Sequence, residues 1–243
     1  MHEISLATEA IGRIGPFPLT NTLLASWFAM GALMLCALLF SRAVRIVPQK
    51  GQAAIELVFD GLLSLMDSVT QDRAKSEKFT PLVLTIFLFV ITANWMGILP
   101  GVGSLMIEHA GHTVPLVRSA FSDLNNTLAI AIIAVVATHI MGIISLGAFR
   151  HIGKFISFKS PMLFFVGLLE AVSELAKVLS FSFRLFGNIF AGEVLLIVIG
   201  ALIPVIAPIP FLGLELFVGF IQALVFAVLT LVFLTMAIVR EAH

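Results

Sequence analysis

Of 243 residues, 60% are hydrophobic and 12% charged, and the mean hydropathy is +1.11. That composition excludes an ordinary soluble domain and predicts a polytopic membrane protein. A formal net charge of zero, with Lys and Arg not pooled in one run, argues against a nucleic-acid partner, and the single cysteine, Cys36, excludes an internal disulfide and speaks against a metal site or thiol chemistry.

Residues 1–18 are polar and slightly acidic, with Glu3, Glu9 and Arg13 and no basic run, unlike a cleaved signal peptide. Apolar segments long enough to span a bilayer follow at 20–40, 79–99, 127–149, 162–203 and 211–239. No period-two pattern marks a barrel, and backbone groups in lipid need internal partners, so all five are predicted to be helices. Turn signals separate them at Pro48 and Gly51, at Pro100-Gly101-Val102-Gly103, at Ser160-Pro161 and between Pro204 and Pro210. Between the first two spans, Glu56, Asp60, Ser64, Asp67 and Gln71 recur opposite Ile55, Val58, Leu62, Leu65, Met66 and Val69. This predicts an amphipathic surface helix over 52–72, its acidic face suited to docking on other subunits or to lying in solvent. The predicted fold class is therefore an all-α membrane protein, one domain over 1–243 with five membrane-embedded helices and one amphipathic surface helix.

Basic residues set the expected orientation. Arg42, Arg45 and Lys50 form one acid-free connection and Arg150, Lys154 and Lys159 another, and both are predicted to be cytoplasmic. The connections carrying Glu108, Arg118 and Asp123, and the uncharged one from Pro204, should then face outward. That alternation places the N-terminus outside and the C-terminus, near Arg240, in the cytoplasm.

The fourth span is the unusual one. As one helix it is ~63 Å long, about twice the hydrocarbon thickness, so steep tilt or a break is required, and tilt of the last two long helices is favoured. Arg184 lies near its middle, where a guanidinium that cannot shed its charge is costly and beyond snorkelling reach of either surface. At 100° per residue Glu170, Glu174, Lys177, Arg184 and Asn188 fall within ~80° of one another, while Glu193 lies ~180° from Arg184. Glu215 and Gln222 share one face of the last span. With the assigned orientation, titratable groups lead in from each side toward Arg184, as an ion path in two offset halves requires. Glu174 and Lys177 also fit a simple surface pair, and His139 suits either helix packing or a proton path. Asn94 beside Trp95 reads as interfacial or as a helix–helix hydrogen bond, and Asn125-Asn126-Thr127 as a helix cap.

Arg184-Leu-Phe-Gly-Asn188, Ala191-Gly-Glu193 and Ile221-Gln222-Ala-Leu-Val-Phe226 closely resemble the a subunit of the F-type ATP synthase membrane sector, bacterial type. The resemblance extends to Asn94-Trp-Met-Gly-Ile-Leu-Pro100 and Asp123-Leu-Asn-Asn-Thr-Leu128, and so covers almost the whole chain. It implies a proton-translocating stator subunit that is not itself an enzyme, with Arg184 facing a ring of c subunits that carry essential carboxylates. It further implies Glu193 and Glu215 as an outer-channel pair, Asn188 and Gln222 as polar residues around the arginine, and Glu170 as an inner acid. Related subunits often place a histidine at one of the two outer positions, where this chain has two glutamates. The implied partners are the c-ring, peripheral-stalk b subunits, the translocated H⁺ and the lipid bilayer of a bacterial inner membrane, with no cofactor.

No Gly-x-x-x-x-Gly-Lys sequence occurs, so ATP chemistry is expected in other subunits. A self-contained proton-coupled transporter is the rival reading, but the internal repeats it should carry are missing from the sequence. An intramembrane hydrolase is disfavoured by the lack of Gly-x-Ser-x-Gly.

Overall fold

In a computed structural model, the described residues are 10–45, 50–99, 106–109, 112–153, 155, 160–204 and 206–238. The predicted markers Glu3, Glu9, Pro48, Pro100 to Gly103, Lys154, Lys159 and Arg240 lie outside them, as do the side chains of Lys50, Glu108 and Arg150.

Among the described residues, seven α-helices carry the fold: α1 Asn21–Ala43, α2 Lys50–Thr70, α3 Arg73–Ile98, α4 Leu124–Leu146, α5 Ala148–Gly153, α6 Pro161–Leu202 and α7 Pro208–Ile238. Five of them, α1, α3, α4, α6 and α7, are long and apolar enough to cross a membrane. The all-helical expectation needs a small addition, since two antiparallel hairpins flank α1 and α3 in the chain. One pairs β1 (Ala10–Ile14) with β2 (Phe17–Thr20), and the other pairs β3 (Met106–His109) with β4 (His112–Pro115). Gly15, with φ +63°, supplies the left-handed residue of the first turn.

Side-chain caps set where the helices start. The Thr20 hydroxyl accepts from Leu23 N–H at 3.3 Å to open α1, and Asp72 accepts from Ala74 N–H at 3.0 Å to open α3. The cap of α4 is Asp123 rather than the Asn125-Asn126-Thr127 run, which already lies within the helix: the extended Asp123 backbone points its carboxylate back to accept from Asn125 N–H at 2.9 Å. Asp123 also accepts from the Thr22 hydroxyl at 3.2 Å, tying the starts of α1 and α4 together. Pro161 occupies the first turn of α6, where its missing N–H costs nothing, and the helix then runs unbroken for 42 residues.

α6 and α7 are antiparallel neighbours. Phe181 stacks on Phe226 at 4.6 Å, Gly192 lies against Glu215, and Gly200 approaches Pro208, all in one register. The core gathers where α3, α4, α6 and α7 meet, around the fully buried Phe79, Val90, Leu185, Phe226, Leu231 and Leu234. Buried polar pairs fix the helices within it: the Thr127 and Ser182 hydroxyls bond at 2.9 Å between α4 and α6, and Asn94 Nδ2 donates to Gly219 O at 3.0 Å between α3 and α7. Trp95 Nε1 adds a bond to Leu216 O at 3.0 Å, so Asn94 and Trp95 both serve helix packing.

Not all helices are equally covered. Only 11% of the most apolar stretch is buried in α1 and in α6, against 39% in α4 and α7, which leaves α1 and α6 with broad faces for lipid or another protein. The C-terminal half of α2 packs on α3 and α7 through Met66 and Thr70, whereas its N-terminal half, Leu57 and Val58 included, is exposed. Cys36 is exposed on α1.

Replacing Phe226 with Ala should lower stability by about 3–5 kcal/mol, because a fully buried, stacked ring leaves a cavity at the α6–α7 seam. Leu38→Ala, on the exposed face of α1, should cost little. Thermal unfolding of the two purified variants in the same detergent checks the contrast.

Candidate functional site

Arg184 projects from the exposed face of α6, where its Nη2 donates to Ser180 Oγ, one turn back, at 3.4 Å. Gly187 lies one turn further on the same face, and a Cβ there would meet nothing within 4 Å. The surface around the guanidinium is therefore open enough for another helix to approach closely. Asn188, the following turn, is half-buried.

Nine residues beyond Arg184 the helix turns its opposite side inward. Glu193 takes a two-pronged ion pair from Arg118, whose Nε and Nη2 lie 2.8 and 3.1 Å from the two carboxylate oxygens. Both side chains are largely withdrawn from solvent, at 12% and 27% exposure, so the pair operates where screening is weak. Arg118 comes from the irregular segment after β4, just before the 3-10 turn Ala120–Ser122. Glu215 of α7 reaches across to the same place: its carboxylate packs directly on Gly192, so that any Cβ at residue 192 would overlap it. Buried Glu215 Oε2 finds no hydrogen-bond donor among the described residues. Two carboxylates and one guanidinium thus meet at the α6–α7 seam beyond Arg184.

A second polar group lies on the other side of Arg184. Lys177 Nζ donates to Glu174 Oε1 at 2.6 Å and rests 4.6 Å above the Phe233 ring of α7. Glu174 Oε2 is also 3.5 Å from His139 Nε2 on α4, and His139 Nδ1 shares a 3.0 Å hydrogen bond with His151 Nε2 on α5. His151 is buried against Gly142, where a Cβ would strike its ring. A cavity of about 540 Å³ opens here, lined by His139, His151, Glu174, Phe155, Phe164 and Leu168.

Along the helix axis, Glu174 lies ~15 Å before Arg184 and Glu193 ~13 Å beyond it, at 1.5 Å per residue. The two groups of titratable side chains therefore flank the guanidinium from opposite ends. Gln222 is 8% exposed and, from the α6–α7 register, level with Arg184, with its Nε2 buried and unbonded among the described residues. Glu170 stands apart from both groups, exposed on α6. Sequence pattern alone missed Arg118 and His151, which sit in connections rather than spans. The signal for each was faint: a lone arginine in an otherwise acidic loop, and a histidine inside a basic segment.

Among known families, the ATP synthase A chain model matches residues 23–235. A Campylobacter jejuni protein named ATP synthase subunit a (strain 81-176) is 35% identical over 214 residues, covering 86% of this chain and 87% of that one. A Bradyrhizobium protein (strain BTAi1) named ATP synthase subunit a 2 is 30% identical over 238 residues, covering 98% and 97%.

Arg118→Ala should cost about 2–4 kcal/mol, since it leaves Glu193 charged and unpaired in a shielded site. The charge-swapped double variant, Arg118→Glu with Glu193→Arg, should recover part of the loss. Folded yield and unfolding temperature of the two singles and the double check this, the expected sign being a coupling of more than ~1 kcal/mol.

Proposed function

The chain belongs to the ATP synthase A chain family, and from that premise we propose that its proton path runs in two offset halves that meet at Arg184. The family makes it a multi-pass, proton-translocating and non-catalytic subunit of the ATP synthase membrane sector. The observation that carries the finer reading is the placement of one exposed guanidinium, near the middle of a 42-residue apolar helix, between two polar groups approached from opposite ends.

The uncovered face of α6 is the surface offered to the rotor, a ring of c subunits that each carry a carboxylate. Gly187 and Ser180 beside Arg184 let a ring helix come close, and the exposed Leu175, Leu179 and Phe183 supply apolar contact around the charge. A carboxylate brought within a few ångströms of Arg184 is held ionised, because the opposite charge favours its anionic form. A protonated carboxyl has no such attraction and passes into lipid. Rotation therefore exchanges protons on either side of Arg184, and the guanidinium, itself unable to deliver a proton at physiological pH, bars direct passage between the halves.

The outer half comprises Glu193 and Glu215, and the inner half begins at Glu174, with Glu170 nearer its mouth. Gln222 and Asn188 line the seam beside Arg184, where the buried amide of Gln222 is available to a proton-carrying group. Glu193, gripped by Arg118, and Glu215, packed on Gly192, stand together as the pair that would carry protons in this half. A proton crossing with the field gains about 2.3 kcal/mol per 100 mV, so any route that bypassed the ring would dissipate the energy that drives ATP synthesis. Acid-free basic connections orient the N-terminus outward and the C-terminus into the cytoplasm of a bacterial cell. The length of α6 and α7 implies that both lie steeply tilted against the ring. The exposed half of α2, with Glu56 and Asp60, is the surface offered to the peripheral-stalk b subunits.

In vesicles containing the reconstituted complex, Arg184→Ala should abolish ATP-driven proton pumping while passive proton conduction, after removal of the catalytic sector, persists or rises. Pumping at the parental rate would contradict this reading.

A further inference from the structure

We infer that the paired imidazoles of His139 and His151 form a proton relay that continues the inner half-path from Glu174 on α6, across α4, to α5. This rests on the half-path reading above and extends it to two side chains on different helices. Three observations converge on it. The contacts form an unbroken series: Glu174 Oε2 to His139 Nε2 at 3.5 Å, then His139 Nδ1 to His151 Nε2 at 3.0 Å. Each imidazole uses both or one of its nitrogens along that line, and a ring that accepts at one nitrogen and donates from the other can pass a proton without moving. The 540 Å³ cavity is lined by all three groups, and water entering it would reach the line.

Among the described residues, the two imidazoles meet each other, the Phe155 ring, and Glu174 of α6, which is paired with Lys177. Back toward the rotor face, Ser180 lies between Lys177 and Arg184 on the same stripe of α6 and accepts from Arg184 Nη2 at 3.4 Å. In the transit step, a proton left on Glu174 passes to His139 Nε2, the proton on His139 Nδ1 passes to His151 Nε2, and the resulting His151 imidazolium gives a proton up to water entering the cavity it lines. Glu174 is again a carboxylate paired with Lys177, and His139 keeps one proton. Return of that proton from Nε2 to Nδ1, by exchange with cavity water, resets the ring. No other reactant is consumed. Glu170, exposed and apart from the series, is not needed for this route.

A purely structural histidine pair would be satisfied by glutamine, which hydrogen-bonds but does not titrate. The test therefore uses both glutamine and alanine variants at each position in the whole reconstituted complex. ATP hydrolysis is followed per assembled complex, with a protonophore present so that added base cannot act by collapsing a gradient. Turnover then reports proton transit through the membrane sector. His139→Gln and His151→Gln should each slow turnover by about 10²-fold, and imidazole at millimolar concentration should restore it in the alanine variants but not in the glutamine ones. Parental turnover in either glutamine variant would overturn the relay, as would losses in the alanine variants that imidazole leaves unchanged. Arg184→Ala, run alongside by proton pumping, separates the two levels. If it alone abolishes pumping, the half-paths stand and the relay fails; if it too pumps at the parental rate, the half-path reading itself fails.

Discussion

A permanent positive charge near the middle of an apolar helix is the constraint on which the rest of this structure depends. Arg184 cannot lose its proton and cannot reach either headgroup layer, so the helix that bears it has to be held rigidly with that face outward. The architecture does this from behind. Phe181 stacked on Phe226, Leu185 and Ile189 buried beneath the arginine, and the Thr127–Ser182 hydroxyl bond clamp the inner face of α6 to α4 and α7. Among the described residues nothing equivalent covers its outer face, where apolar side chains and one guanidinium stand exposed together. A lipid-facing surface disfavours such a charge, and the rotor carboxylate proposed above would supply its partner.

The same economy of charge governs the two flanking groups. A carboxylate withdrawn from water is expensive unless a cation accompanies it, and two of the acids are supplied with one: Glu193 with Arg118, and Glu174 with Lys177. Those pairings hold the two acids in place on α6. Glu215 differs: it sits against the backbone of Gly192, and among the described residues its Oε2 has no hydrogen-bond partner. Glycine at 192 lets the second carboxylate come this close: a Cβ there would oblige the Glu215 side chain to shift.

Much of this was legible in the sequence, for identifiable reasons. Long apolar runs marked the spanning helices because lipid permits no other open-ended backbone arrangement, and α6 proved unbroken, so helical periodicity correctly set Glu193 opposite Arg184. The Glu174–Lys177 contact followed from their spacing alone. What pattern could not supply were contacts between segments remote in sequence. Arg118 and Glu193 are 75 residues apart, and Asn94 bonds a carbonyl 125 residues away. His151 escaped notice because a six-residue helix, α5, folds back onto Gly142, a return that no periodicity announces. The cap of α4 was misplaced by two residues because asparagine and aspartate signal helix starts alike, and only geometry shows which side chain reaches the amide.

The central claim, that the two polar groups open to opposite sides of the membrane with Arg184 between them, is most directly tested by sided chemical access. In a Cys36→Ser background, which removes the chain's only thiol, single cysteines at Glu174 and Glu215 would be exposed to a membrane-impermeant thiol reagent applied to one face of oriented vesicles at a time. The account predicts labelling at 174 only from the cytoplasmic face and at 215 only from the outer face. Labelling of both from the same face, or of each equally from both, would contradict it.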